Sequence, residues 1–211
     1  MKTFKLATLL TLGVLTGYAQ NIRTFNNLDL STSLSKNTHQ YAVFWGESIQ
    51  AKSPVPFRFT TGLRLSFNNK TTGVYPVSDG SRLSTLQFTK RPWYTTFGVP
   101  AGVELYVKGL GIGAFQEVFT LSGKKKYQDT FTPLDEGQTL STQGFSHVFG
   151  KKQNLTGGAY LIYTFNDSFS IKAGWNRISS TFTKANATQE LGYARLNDDT
   201  FSVGIRLNIE K

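Results

Sequence analysis

From Thr200 to Ile209 the chain alternates without a fault. Phe201, Val203, Ile205, Leu207 and Ile209 fall on one side, and Thr200, Ser202, Gly204, Arg206 and Asn208 on the other. Successive side chains of an extended backbone point to opposite faces, so this is a strand with one apolar and one polar side. The pattern recurs three times at full strength. Phe57, Phe59, Leu63, Leu65 and Phe67 oppose Arg58, Thr60, Gly62, Arg64, Ser66 and Asn68. Phe97, Val99, Ala101, Val103, Leu105 and Val107 oppose Thr96, Gly98, Gly102, Glu104, Tyr106 and Lys108, and Phe169, Ile171, Ala173 and Trp175 oppose Ser168, Ser170, Lys172, Gly174 and Asn176. Weaker alternation runs over 158–165, over 110–118 and over 41–49, where Glu47 interrupts the apolar face and predicts a bulge near Gly46. No helical period occurs after residue 20.

The links between these segments predict how they connect. Tight links fall at Ala51–Pro56, around Gly109 and at Asn166–Asp167; long polar links run over 69–92, 123–154 and 179–199. Up-and-down barrels place short turns at one end and long loops at the other. Seven strands satisfy that rule only if an eighth precedes Tyr41, and Leu28, Leu30, Thr32 and Leu34 supply its face. The expected fold is therefore all-β, an eight-stranded antiparallel up-and-down transmembrane β-barrel, with both termini at the short-turn end.

Ahead of the strands, Lys2 and Lys5 precede an apolar run from Leu6 to Leu15, and Gly17 and Ala19 occupy the −3 and −1 positions of a cleavage site. Residues 1–19 read as a secretory signal peptide and 20–211 as the barrel domain. Removing the leader leaves 21 basic against 13 acidic residues, a net charge of +8. The chain has no Cys, which excludes disulfides, a thiol nucleophile and a Cys-ligated zinc site. An exported chain without bridges points to a bacterial envelope.

Alternation alone does not say which solvent the apolar side meets. A soluble lipocalin-like carrier would turn it inward around an apolar ligand; a membrane barrel would turn it toward lipid. The polar sides mix Gly, Ser and Thr with Arg58, Arg64, Glu104, Lys172 and Arg206, a composition suited to a narrow barrel interior. We read those five as a structural, ion-paired cluster filling the barrel, with Glu117 as a second anion. Aromatic residues sort to the strand ends, Phe57, Phe165 and Phe169 by the short turns and Phe67, Phe97, Trp175 and Phe201 by the long loops, as membrane interfaces select.

The stretch Thr96-Phe97-Gly98-Val99-Pro100-Ala101-Gly102-Val103-Glu104-Leu105-Tyr106 resembles the central strand of the small outer-membrane β-barrel family of Bacteroidota, the PorT-like or OmpA-like eight-stranded barrels. Gly111-Ile112-Gly113-Ala114 is similar to that family's Gly-rich fifth strand, and Phe201–Leu207 to its closing strand. The resemblance covers the whole mature chain and implies a fold, carrying no catalytic residues with it.

The residues offer no catalytic, cofactor or metal constellation. His147 is the one candidate general base for an outer-membrane lipid hydrolase, and nothing in the spacing supplies it with a Ser and a carboxylate. The basic surplus, including Lys124–Lys126 and Lys151–Lys152, lacks the aromatic interleaving of nucleic-acid binders. It suits the anionic head groups of lipopolysaccharide. The expected setting is the cell outer membrane, with long loops extracellular, and the expected partners are outer-membrane lipid, lipopolysaccharide and the barrel-insertion machinery. The expected role is non-enzymatic, structural or surface-interacting.

Overall fold

The structure is a computed structural model that describes residues 22–51, 56–77, 79–80, 85–123, 126–127, 131–132, 139–142, 144–166, 168–185 and 190–210. Residues 1–21, which include the expected signal peptide, and part of each long loop, Lys124 and Lys125 included, lie outside them. Eight long strands form the body: β1 (Ile22–Leu34), β2 (Thr38–Ala51), β3 (Phe57–Lys70), β4 (Trp93–Val107), β5 (Leu110–Ser122), β6 (Leu155–Asn166), β7 (Phe169–Ala185) and β8 (Glu190–Glu210). Each pairs antiparallel with its sequence neighbours, and β8 pairs with β1, closing an up-and-down barrel. Between β4 and β5, Lys108 and Gly109 both take positive φ, 50° and 85°, as a two-residue type I′ hairpin requires.

Pairing fixes the tilt. A lateral row of partners runs from Asp199 through Arg177, Gly157, Gln116, Ala101, Thr61, Glu47 and Asn26 and returns to β8 at Ile209. The row re-enters its starting strand ten residues nearer the short-turn end. With ~3.3 Å per residue and ~4.8 Å between strands, that stagger tilts the strands by about 40°. Each step across a strand therefore descends by about 3 Å, and each residue along a strand climbs or falls by about 2.5 Å.

Below the level of Asp199 the alternation turns its apolar side outward. Trp45, Phe59, Phe97, Trp175, Phe201, Ile205 and their neighbours are exposed, while Asn27, Arg58, Ser66, Glu104, Ser170 and Arg206 are buried inside. This overturns the lipocalin-like alternative, whose cavity would be lined by the apolar side. The expected bulge near Gly46 is absent as well. Pairing of β2 with both neighbours runs unbroken through Gly46 and Glu47, and Glu47 continues the outward face. The bulge sits instead opposite Val99 and Pro100, where Val118 drops out of register and Phe119 joins the outward side. Pro100 has no N–H to give the ladder, and the Thr61 hydroxyl donates to its carbonyl at 3.1 Å.

Above Asp199 the same strands keep their inward parity but exchange the polarity of their two sides. On β7 the inward residues become Ile178 and Phe182 and the outward ones Arg177 and Ser179; on β8 Ala194 and Leu196 turn inward, with Asn197 and Asp199 outward. The segment 179–199, expected as a long polar link, is thus mostly paired strand, from Ser179↔Asn197 to Ala185↔Glu190. The other long links fold over this upper tier. Gly73–Pro76, Thr85–Phe88 and Phe131–Thr132 form a three-stranded sheet. Thr139–Thr142 pairs with the top of β7, and Phe145–His147 with the top of β5. Together they bury Tyr75, Leu86, Phe88, Tyr94, Tyr127, Leu140, Phe182, Ala194 and Leu196 as a second core above the barrel. Phe182 is its hub, with edge-on contacts to Phe88, Tyr94 and Tyr127 at ring separations of 5.3, 6.1 and 6.2 Å.

Candidate functional site

The interior of the barrel holds a ladder of charges. At its middle Arg206, 1% exposed, bridges two carboxylates. Its Nε and Nη2 donate to Asp29 at 2.7 and 3.0 Å, and Nη1 donates to both oxygens of Glu104 at 2.7 and 2.8 Å. Glu104 also accepts from the hydroxyls of Tyr106, at 2.7 Å, and Tyr160. Lys172 donates at 2.7 Å to Asp29 Oδ2, the oxygen that also accepts from Arg206 Nη2, and lies 4.1 Å from the centre of the Tyr160 ring. Small residues make room for these groups: a Cβ at Gly113 would come within 2.6 Å of the Tyr160 ring.

Toward the short-turn end, Arg58 lies between the rings of Phe25 and Tyr106, 4.5 and 5.0 Å from their centres. It donates to Gln50 at 2.9 Å and Asn208 at 3.1 Å. Toward the loop end, Arg64 donates to Gln40 at 2.8 Å and to Glu117 at 3.4 Å, over the ring of Phe115. Higher still, the buried ion pair of Lys70 and Asp198 joins β3 to β8 under the second core.

All five residues singled out from the sequence, Arg58, Arg64, Glu104, Lys172 and Arg206, thus point into one interior. Their partners are not simply their neighbours in the ladder. Arg58 stands opposite Glu104 in the ladder yet reaches neutral amides, and the partner of Glu104 comes from across the barrel. The excess of cations read from the sequence is met by Asp29 as well as Glu117. Asp29 lies on the inward side of β1, between the outward Leu28 and Leu30 that defined that strand; its place in the alternation was the available signal.

The space left between these groups is a chamber of about 70 Å³, lined among others by Asp29, Thr60, Arg64, Lys172 and Arg206. Eight strands leave an interior that side chains fill, and here charged side chains do so. His147 stands elsewhere, exposed on the short strand Phe145–His147 beside Phe119, on the outer side of the barrel. Among the described residues no group of three or more His, Cys, Asp or Glu is placed to hold a metal ion.

No family model matches the chain, and no curated protein does. Similar solved structures include a major outer membrane protein from Thermus thermophilus, at 10% identity over 89% of this chain and 99% of that one, TM-score 0.43. Ail, the attachment invasion locus protein of Yersinia pestis, is 12% identical over 90% of this chain and 98% of its own, TM-score 0.32. The Pseudomonas putida toluene transporter TodX is 10% identical over 88% of this chain and 70% of its own, TM-score 0.28.

Proposed function

We propose that this chain is a non-enzymatic integral outer-membrane protein, exported by residues 1–19, with both termini in the periplasm and the second core standing on the cell surface. The observation that carries this reading is the exchange of polarity between the two sides at Asp199. The outward face is apolar from Phe201 to Ile209 and polar above, so the medium outside the barrel changes there from hydrocarbon to water. Ten residues at a tilt of about 40° span about 25 Å, the height of the apolar band of outer-membrane barrels. Exposed Leu34, Tyr41, Phe67, Phe97, Phe119 and Phe201 lie within roughly 5 Å of the upper boundary on the same geometry. Phe57, Phe165 and Ile209 lie near the lower one.

The role we assign is structural and surface-interacting. The interior cluster acts as a fixed plug, and the upper tier presents a folded, net-basic surface to lipopolysaccharide. The likeness of Thr96–Tyr106 to the central strand of small Bacteroidota barrels supports kinship with them, and insertion machinery would assemble the chain. The deciding experiment is the SDS gel mobility of the membrane fraction, unboiled against boiled. A heat-dependent shift from a detergent-requiring pool is expected; a soluble protein with no shift would overturn the reading.

A further inference from the structure

The strand Phe145–His147 runs downward along the top of β5 and ends in a tight turn at Val148 and Phe149, where the Val148 amide donates to the Val118 carbonyl at 2.8 Å. Phe149 is 91% exposed, the most exposed large apolar residue described. It is not an isolated surface residue. The outward row Leu65, Phe97, Leu121 and Phe145 is continuous in register, and the next row down brings Val99, Phe119 and His147 to the same turn. The inserted strand therefore widens the apolar belt by one strand at its upper rim.

Height follows from the tilt. Gln116 lies three strands from Asp199 along the descending row, about 9 Å below it, and Val118 is two residues higher on β5. The turn sits within about 4 Å of the upper boundary, where acyl chains meet head groups. The turn is also anchored. Buried Asn154 accepts from the Thr120 hydroxyl at its carbonyl and from the Thr181 amide at its side chain, and Gln153 exchanges bonds with Thr181.

Cations stand above it. Arg195, four residues up β8 from Asp199 and so about 10 Å over the boundary, reaches down to the carbonyl of exposed Lys151 at 3.5 Å, and Lys152 pairs with Glu190 beside the Tyr193 ring. An apolar tip at acyl depth below a basic rim is the arrangement of interfacial anchors, in which apolar burial and attraction to anionic lipid add.

We infer that the turn 148–152 is a lipid-binding foot, which sets Phe149 among outer-leaflet acyl chains and holds the phosphate of a phosphorylated lipid head group with Lys151 and Arg195. The inference rests on the outer-membrane reading and names the lipid class and place of contact. It is tested with single-cysteine spin labels, clean in a chain that has no Cys. Labels at F149C, at V103C in the mid-belt and at V74C in the upper tier are compared in dimyristoylphosphatidylcholine vesicles, with and without lipid A. The expected result is a water-accessible label at 74, a lipid-buried one at 103, and one at 149 that is lipid-accessible but shallower. Lipid A should slow the label at 149, and Lys151→Glu should abolish that slowing without altering the label at 103. A label at 149 as water-accessible as that at 74, with 103 still in lipid, overturns the foot alone. Slowing by lipid A that survives Lys151→Glu overturns the phosphate contact. A water-accessible label at 103 overturns the membrane reading and the foot with it.

Discussion

One guanidinium, that of Arg206 on β8, holds the carboxylates of Asp29 on β1 and Glu104 on β4 at once, with every contact between 2.7 and 3.0 Å. Arg206 is thereby a strut across the barrel as well as a link between adjacent strands. Removing one partner of a buried pair strands the other charge, at a typical cost of about 3–5 kcal/mol. Glu104→Ala should lower the urea midpoint of the folded, SDS-resistant band accordingly. Glu104→Gln, which keeps an acceptor for the Tyr106 and Tyr160 hydroxyls, should cost less. Equal midpoints for the two variants would show that charge alone, and neither filling space nor accepting from the two hydroxyls, is what Glu104 contributes.

Val103 and Ile205 face outward near mid-band. An Arg at a lipid-facing midplane position costs roughly 2–4 kcal/mol, so Val103→Arg and Ile205→Arg should each reduce the heat-modifiable fraction in membranes. Normal assembly of both variants would reverse the assignment of faces.

Phe182 joins Phe88, Tyr94 and Tyr127 in the upper core. Phe→Ala in a packed core costs about 3–5 kcal/mol, here in a tier separate from the charged interior. Phe182→Ala should expose sites such as Lys152 and Lys184 to trypsin while the barrel keeps its heat-dependent gel shift. Loss of both together would mean that the two tiers unfold as one.

Burial raises the phenols of Tyr75 and Tyr127 above their ordinary value of 10. The one proton of the Tyr75 hydroxyl is shared between the carbonyls of Asn37 and Thr71, at 2.7 and 2.9 Å, and Tyr127 donates to that of Trp93 at 2.7 Å. An acid that holds its proton more tightly when folded contributes stability that is complete below its unfolded value and lost as pH rises through the folded one. The upper tier should therefore loosen above pH 10, seen as protease sensitivity appearing together with the share of tyrosinate absorbance that Tyr127→Phe removes, and Tyr127→Phe should delay the loss. That share appearing before any protease sensitivity would contradict it.

The lower halves of the strands were legible because one medium lies on each side of them and period 2 survives intact, as from Phe201 to Ile209. The upper halves were not, for the same physical reason. Ile178 and Phe182 continue the strand that carries Ile171 and Trp175, but on the opposite parity, so a search for one apolar face ends at Trp175 and takes the rest for a loop. Glu47 misleads in a related way: a lone polar residue on an apolar face imitates a bulge, whereas the bulge on β5 sets two successive apolar residues, Val118 and Phe119, on the outward side and so carries no polar mark. In the interior, residue types were readable and partners were not. Arg206 and Glu104 belong to β8 and β4, and only closure of the barrel brings them together.

Strands β7 and β8 pass from the belt into the upper tier without a break in their pairing, from Phe169↔Leu207 up to Lys184↔Gly192. The upper tier is thus continuous with the belt through paired backbone. A load applied at the tip would be carried in shear along that one long ribbon, as a mast transmits wind to a keel, and would reach the bilayer as a torque on the whole barrel.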